Sequence, residues 1–173
     1  DVSGLTLDDA KNKVQTEFLD KLENTIYFQY GENLYSLALE QINAKYKLDD
    51  AVQKAYNVGR DGSLITRDIT VFKLPKNPVN VTIDVTFDEE ALEDCISDIS
   101  AKLPEQVTQP SYYIEDGELI ITSGKIGKAA SNEETKGIVI DALKNKRYKD
   151  VYYDIPTYDK YPEKIDVDKI YNE

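Results

Sequence analysis

Hydrophobic residues recur at helical spacing in the first part of the chain. The apolar positions are Leu7, Ala10, Val14, Phe18 and Leu22. Residues three or four apart lie on one face of a helix, so this stripe predicts an amphipathic helix down to about Leu22. Thr6 precedes the stripe as an N-cap, and the acidic pair that follows Leu7 faces the positive end of the helix dipole.

The next segments predict short elements. A strand over 25–30 is followed by a turn at 31–33 and by residues 34–36, which are placed to pair back. The pattern then predicts a short helix over 37–46 and a second over 50–58, with Asp49 as its cap. In 63–73 the apolar residues have weak strand-like spacing; they are Ile65, Ile69, Val71 and Phe72.

Strict alternation of apolar and polar residues over 79–87 is the clearest pattern in the sequence and predicts a strand with one buried face. Asp88 then caps a helix that ends before Pro104. Cys95 lies on the apolar stripe of that helix. We therefore expect a buried, inert thiol rather than a nucleophile.

The C-terminal third predicts a hairpin, a helix and a strand. Asp116-Gly117 separates two strand-like runs, 111–114 and 119–122, which is a strong signal for a tight hairpin. Ser131 with Glu134 has the spacing of a capping box and opens a helix, and 149–155 is the closing strand. From Pro156 onward apolar residues are few and charges are many, so 156–173 is predicted to be an exit arm or linker.

Two parts of the chain align at a fixed offset of 125 positions. Thr6 falls on Ser131, Phe18 on Leu143, and the strand residues 26–28 on 151–153. Either the units 1–30 and 125–155 are an internal repeat that gives two similar α/β lobes, or the match is the generic one of any capped helix and strand. The repeat suggests one α+β domain over 1–155, with helices packed on mixed or antiparallel sheets.

The net charge of −12 narrows the range of partners. It disfavours nucleic acid and anionic membrane surfaces, and it also opposes simple charge-driven adhesion to anionic wall polymers. No run has the length of a membrane span and no signal peptide is present. Because the sequence contains no methionine, we expect it to be a piece of a longer protein.

The sequence contains no histidine. This removes the commonest general base, the commonest metal ligand and the usual activator of a nucleophile. The lysine- and glycine-containing loop 124–128 lacks the spacing of a phosphate loop, and the acidic pairs lie at predicted helix starts. We therefore expect no catalytic residues, no metal and no cofactor.

The segment 55–62 combines a predicted helix end, a cation and a tight turn. Gly59 falls where a helix ends in a left-handed residue, and Asp61 followed by glycine is a strong turn pair. Arg60 between them is either a structural clamp on carbonyls or a carboxylate, or a ligand contact. Thirteen tyrosines, among them Tyr112, add flat apolar rings with polar tips, which suit stacking on sugars or a protein interface.

This segment resembles the signature of a known family. Its residues Ala55-Tyr56-x-Val58-Gly59-Arg60-x-Gly62 are similar to the motif of the YoaR-like peptidoglycan-binding domain, found beside VanW and L,D-transpeptidase domains in bacterial envelope proteins. The opening residues 1–6 resemble the start of that family.

The resemblance implies an extracytoplasmic, non-catalytic module that binds peptidoglycan, through its glycan strand or stem peptide, and positions neighbouring domains. The cell wall, or a membrane anchor in missing parts of the parent protein, would hold it there, with no direct membrane contact by this fragment. The expected contacts are Tyr56, Arg60, Asp61 and Tyr112. The alternative is a spacer or protein-interaction domain without wall affinity.

Overall fold

The computed structural model describes residues 2–60, 62–63, 67, 70, 73–74 and 76–165. The α-helices with defined bounds are α1 (Leu7–Glu17), α2 (Leu48–Asn57), α3 (Glu89–Ala101) and α4 (Asn132–Asn145). Short 3-10 helices cover Leu19–Lys21 and Leu39–Ile42. The strands are β1 (Thr25–Tyr30), β2 (Asn33–Ala38), β3 (Lys45–Tyr46), β4 (Val85–Thr86), β5 (Ser111–Glu115), β6 (Glu118–Thr122), β7 (Gly127–Ala130), β8 (Tyr152–Asp154) and β9 (Thr157–Lys160). Helices and small mixed or antiparallel sheets make this an α+β fold, as predicted.

The central sheet has the strand order β2-β1-β8. β1 runs antiparallel to β2 and parallel to β8. Side chains alternate along β1, so that Ile26 and Phe28 are fully buried while Tyr27 and Gln29 lie on the other face. One face of the sheet therefore belongs to the core and the other is open to solvent.

The main core lies between the buried sheet face and the pair α3 and α4. Its fully buried members come from the central sheet, the second 3-10 helix, α3, α4 and the residues that follow these helices: Ile26, Phe28, Leu37, Ile42, Leu92, Ile96, Leu103, Val139, Ala142, Leu143 and Tyr148. Helices with one apolar stripe can bury it only against such a face, which is why the periodic segments pack here.

A smaller core joins α1 to α2. Ala10, Leu48 and Val52 are its buried residues, and Ile83 packs against them at its edge. Lys11 of α1 forms an ion pair of 2.5 Å with Asp49 of α2. α1 and α4 thus belong to different clusters, although the sequence alignment superposes them.

The helix caps agree with the sequence at two places and differ at a third. Thr6 accepts a hydrogen bond from the Asp9 amide, and Asp88 accepts from the amides of Glu90 and Ala91. Ser131 is the N-cap residue of α4, but its side chain makes no capping bond, so the predicted capping box is wrong.

The thiol of Cys95 is half-buried against the main core. Burial raises its pKa, and the nearby carboxylates of Asp98 and Asp94 add to the effect. The raised pKa favours the protonated thiol, as expected of an inert cysteine, but the prediction that Cys95 is buried is wrong, because the residue is half-buried.

The segment 37–46 is not the predicted helix. β2 continues to Ala38, one 3-10 turn follows, and Asn43 ends this turn in the left-handed conformation with φ of 50° before β3. Leu39 and Ile42 have the spacing of a single helical turn, which explains the false helical signal. The next helix, α2, begins at Leu48, so Asp49 lies in its first turn rather than capping it.

Strong alternation over 79–87 did not produce a full strand. Only Val85–Thr86 is paired, with β3. The alternation is still visible in burial: Val81, Ile83, Val85 and Phe87 are half-buried and the residues between them are exposed. The alternation correctly indicated which side chains face the protein interior. A strand also requires a neighbouring strand whose backbone can form hydrogen bonds with it.

The weaker strand pattern over 63–73 also did not produce a strand at the residues described there. Arg67, Thr70 and Lys73 are helical, so a strand is wrong at these three residues. The four apolar residues on which the signal depended, Ile65, Ile69, Val71 and Phe72, lie outside the described residues.

The hairpin around Asp116-Gly117 is confirmed. β5 and β6 pair from Ser111↔Thr122 to Glu115↔Glu118. Asp116 and Gly117 have φ of 52° and 82°. Two successive left-handed residues are typical of the type I′ turn, whose twist suits a two-residue hairpin.

Part of the predicted exit arm belongs to the fold. Residues 157–160 form β9, which pairs antiparallel with β7 from Gly127↔Lys160 to Ala130↔Thr157. Lys128 reinforces the pair with a 2.6 Å ion pair to Asp159. The exit-arm prediction is wrong for these four residues, because their strand depends on a distant partner and not on local hydrophobicity. Where the domain ends, and the form of 166–173, stay predictions.

The fixed offset found in the sequence reappears in the central sheet. β1 and β8 pair in the register Tyr27↔Tyr152, Phe28↔Tyr153 and Gln29↔Asp154, each 125 positions apart. The aligned strands are thus direct neighbours. The internal repeat itself stays a prediction, because the aligned helices pack in different clusters.

Candidate functional site

The turn after α2 has the backbone form that the glycines predict. Gly59 is left-handed with φ of 75°, and Gly62 has φ of 95°. The amide of Val58 donates to the carbonyl of Ala55, and that of Arg60 donates to the carbonyl of Asn57. A residue with a Cβ would be strained at Gly59, so glycine is what allows the chain to turn back here.

Arg60 folds back over the helix that it follows. Its guanidinium carbon lies 3.9 Å from the ring centroid of Tyr56, which is a cation–π contact. Its Nη1 atom donates a 2.6 Å hydrogen bond to the Tyr56 carbonyl oxygen. The cation therefore satisfies a carbonyl at the negative end of the helix dipole.

Arg60 is an exposed residue, while Tyr56 is half-buried. Arg60 therefore has the geometry expected of a structural clamp. It also has the solvent accessibility that a ligand contact requires. A guanidinium fork held against a ring is pre-organised for a carboxylate, since little side-chain freedom is left to lose on binding.

The structure does not bring all four predicted site residues together. Tyr56 and Arg60 are in contact, Asp61 lies outside the described residues, and Tyr112 lies on a different element, β5. Tyr112 is 46% exposed and pairs across the hairpin with Ile121, which is also exposed.

Adjacent tyrosines point to opposite faces of their strands, with different outcomes in the two pairs. Tyr113 is 48% exposed, like Tyr112, so both faces of the β5–β6 hairpin meet solvent. In the second pair Tyr152 is 51% exposed, whereas Tyr153 packs against the main core. Only the second pair therefore has one ring exposed and the other packed against the core.

A groove on the open face of the central sheet was not predicted as a site. The rings of Tyr27 and Tyr152 lie side by side with centroids 5.7 Å apart and planes tilted by 41°. They line a groove of about 290 Å³ together with Glu23, Asn24, Thr25 and Asp150. The sequence did contain a signal for it, since the offset of 125 superposes Tyr27 on Tyr152.

A larger groove, of about 490 Å³, runs beside α1. It is lined mainly by apolar side chains with a few charges: Val2, Lys13, Val14, Glu17, Phe18, Val81, Thr82, Ile83 and Lys146. The ammonium of Lys146 lies 5.6 Å from the ring centroid of Phe18 and 5.7 Å from that of Tyr46. Burial lowers the pKa of Lys146, and the charge of Asp84 partly opposes this.

Within the described parts of the chain, no group of three or more Cys, Asp or Glu side chains is arranged to hold a metal ion. No helix in the same ranges has both the length and the apolarity needed to cross a bilayer.

The molecule is thus a small α+β domain that presents an arginine stacked on a tyrosine, and several tyrosine rings, at its surface. It belongs to the family described as "Putative peptidoglycan binding domain", whose model matches residues 35–151. The match includes the Tyr56 to Gly62 motif and excludes the opening residues 1–6. No curated protein and no solved structure matches the chain.

Proposed function

We propose that this domain binds peptidoglycan in the bacterial cell envelope, as a non-catalytic module that positions neighbouring domains of its parent protein on the wall. The observation on which this depends is membership of the peptidoglycan-binding family over 35–151. The lack of histidine favours binding over chemistry. An extracytoplasmic location follows from the ligand.

The exposed Arg60 guanidinium is the proposed contact for a carboxylate of the stem peptide, with Tyr56 as its platform and Asp61 beside it in sequence. A planar guanidinium donates two parallel hydrogen bonds to a carboxylate, and such charge-assisted hydrogen bonds are about twice as strong as neutral ones. Tyr112 is the proposed second contact, where a ring with a polar edge suits a sugar or a peptide backbone.

Co-sedimentation with purified insoluble peptidoglycan tests the proposal. The wild-type domain should pellet with the wall material in a saturable manner, and Arg60→Ala should weaken this binding roughly tenfold, as expected for loss of a charge-assisted contact. Arg147→Ala is the matched control, because Arg147 is also exposed and the charge change is the same. Tyr112→Ala should weaken pelleting by a smaller factor.

Because Arg60 also caps α2, the thermal unfolding of each variant must be compared at the assay temperature. A folded Arg60→Ala protein that pellets like Arg147→Ala would remove Arg60 from the site. Arg60→Lys separates charge from shape: it keeps the cation but loses the planar fork, so it should bind nearly as poorly as Arg60→Ala.

The competing function is a spacer or protein-interaction domain without wall affinity. Its specific support is the β5–β6 hairpin, whose two faces both expose aromatic or aliphatic side chains. If the wild-type domain does not pellet with peptidoglycan at any concentration tested, the spacer is the correct function. Release of soluble muropeptides by the isolated domain would instead contradict the proposal of a non-catalytic module.

A further inference from the structure

We propose that the groove lined by the adjacent rings of Tyr27 and Tyr152 is a subsite for one sugar unit of the glycan strand. The proposal rests on the proposed function for its source of ligand, but it assigns residues that do not include Arg60 or Tyr56. The two components of peptidoglycan would then be recognised at separate places, the sugar in this groove and the stem peptide at Arg60.

The two rings are held in place by the sheet beneath them. Tyr27 and Tyr152 are direct partners in the parallel register of β1 and β8, so both project from the solvent face. Their neighbours Phe28 and Tyr153 are a ring pair on the core face, with centroids 6.2 Å apart. Two residues further along the same solvent face, Gln29 donates a 2.7 Å hydrogen bond to Asp154. A rigid aromatic pair loses little freedom when it binds, which favours affinity.

The lining has the chemistry of a sugar site. Sugar rings present C–H faces that stack on aromatic rings and hydroxyl edges that need polar partners. The tyrosine rings can stack on the C–H face of a sugar. The carboxylates of Glu23 and Asp150 and the amide of Asn24 can form hydrogen bonds with its hydroxyl groups. Tyr152 is 51% exposed, so one of the two rings is open to an incoming ligand.

Charge and size favour a sugar over the stem peptide. Carboxylates of the peptide would be repelled by Glu23 and Asp150, whereas neutral hydroxyls would not. A groove of about 290 Å³ is at the lower limit of the roughly 300–1,000 Å³ typical of ligand pockets, so it suits a single ring rather than an extended peptide.

Titration with soluble oligomers of N-acetylglucosamine tests the subsite. The whole chain is labelled with fluorotyrosine, and the fluorine signal of Tyr152 is assigned from its loss in Tyr152→Phe. The expected result is a saturable shift of the Tyr152 signal in the wild type. Affinities of the wild type and the variants are compared by isothermal titration calorimetry, in which Tyr152→Ala should bind at least fivefold more weakly. Tyr152→Phe should bind within about twofold of wild type, because it keeps the ring.

Tyr161→Ala is the matched control, since Tyr161 is 67% exposed but lies outside the groove, and it should not change the affinity. An unperturbed Tyr152 signal at millimolar oligomer, or equal affinity in a folded Tyr152→Ala variant, would overturn the subsite. If the wild type still pellets with peptidoglycan in that case, the proposed function stands without it. If Tyr152 responds to the sugar but nothing pellets, the subsite stands and the wall function fails.

Discussion

Phe28 and Tyr153 are 125 positions apart in sequence and lie side by side in parallel strands, with ring centroids 6.2 Å apart. The amide of Ile155 donates to the carbonyl of Gln29 at the end of the same strand pair. The contact joins the first strand of the chain to one of its last. The main core is therefore completed only when the C-terminal segment has docked on β1.

Substitution on the two faces of β1 should have unequal effects. Phe28→Ala removes a fully buried ring and should lower the free energy of unfolding by about 3 to 5 kcal/mol. Tyr27→Ala, one residue away on the open face, should cost about 1 kcal/mol. Urea unfolding followed by circular dichroism measures both. Where Phe28→Ala does not fold, Phe28→Leu should still be less stable than Tyr27→Ala. Equal losses would show that the sheet does not have a buried and an open face.

Local hydrogen-bond motifs were predictable from sequence because their partners are three residues or fewer away. Thr6, Asp88 and Asp116-Gly117 all adopt the predicted form. The hydrogen bond from Arg60 to the Tyr56 carbonyl also spans only one helical turn, and it has the geometry of the predicted clamp on a carbonyl.

Several of the features that the sequence did not predict depend on distant partners. The amide of Ser131 donates to the carbonyl of Pro156, so tertiary pairing sets the entry to α4 and the serine hydroxyl is not used. β9 exists because β7 lies beside it. The groove at Tyr27 and Tyr152 likewise depends on a parallel register that no local pattern contains.

The N-cap residues of α3 and α4 test this distinction between local and distant hydrogen-bond partners. Asp88 accepts two amide hydrogen bonds of 3.1 Å at the start of α3, so Asp88→Ala should lower the free energy of unfolding by about 1 kcal/mol. Ser131→Ala at the start of α4 should change it by less than about 0.5 kcal/mol, since the hydroxyl makes no capping bond. Chemical unfolding of both variants checks this. If Ser131→Ala lowers the free energy of unfolding by about 1 kcal/mol, the Ser131 hydroxyl does cap α4 in solution.

Thr135 is a fully buried residue of α4 whose hydroxyl has no hydrogen-bond partner within the described part of the chain. An unsatisfied buried hydroxyl costs free energy that an apolar group of the same shape avoids. Thr135→Val should therefore raise the free energy of unfolding by about 1 kcal/mol, with a higher melting temperature. Thr135→Ala should lower it, because it leaves a cavity. A destabilised valine variant would mean that the hydroxyl is bonded in solution.

Two tyrosine hydroxyls meet at the edge of the main core. The Tyr148 side chain is almost fully buried, and its hydroxyl lies 2.9 Å from that of Tyr46, which also donates to the Leu143 carbonyl. Burial, and next the hydrogen bond to Tyr46, raise the pKa of Tyr148 far above its ordinary value. Burial also raises the pKa of Tyr46, although its bond to Tyr148 opposes this.

Stability should consequently fall in alkali, and Tyr148 should account for a measurable part of the loss. The unfolded chain releases the Tyr148 proton near pH 10, whereas the folded chain keeps it, so rising pH above 10 favours unfolding. Between pH 8 and 11 the wild type should lose about 1.4 kcal/mol more free energy of unfolding than Tyr148→Phe, which has no proton to release there. Urea titrations at fixed pH values measure the difference. Lysines and the tyrosines that do not contact Tyr148 titrate in both proteins and cancel in the comparison. Because Tyr46 does contact Tyr148, the comparison is made in a Tyr46→Phe background. Parallel pH profiles for the two proteins would show that Tyr148 ionises as readily in the folded state as in the unfolded one, which its burial beside Tyr46 should prevent.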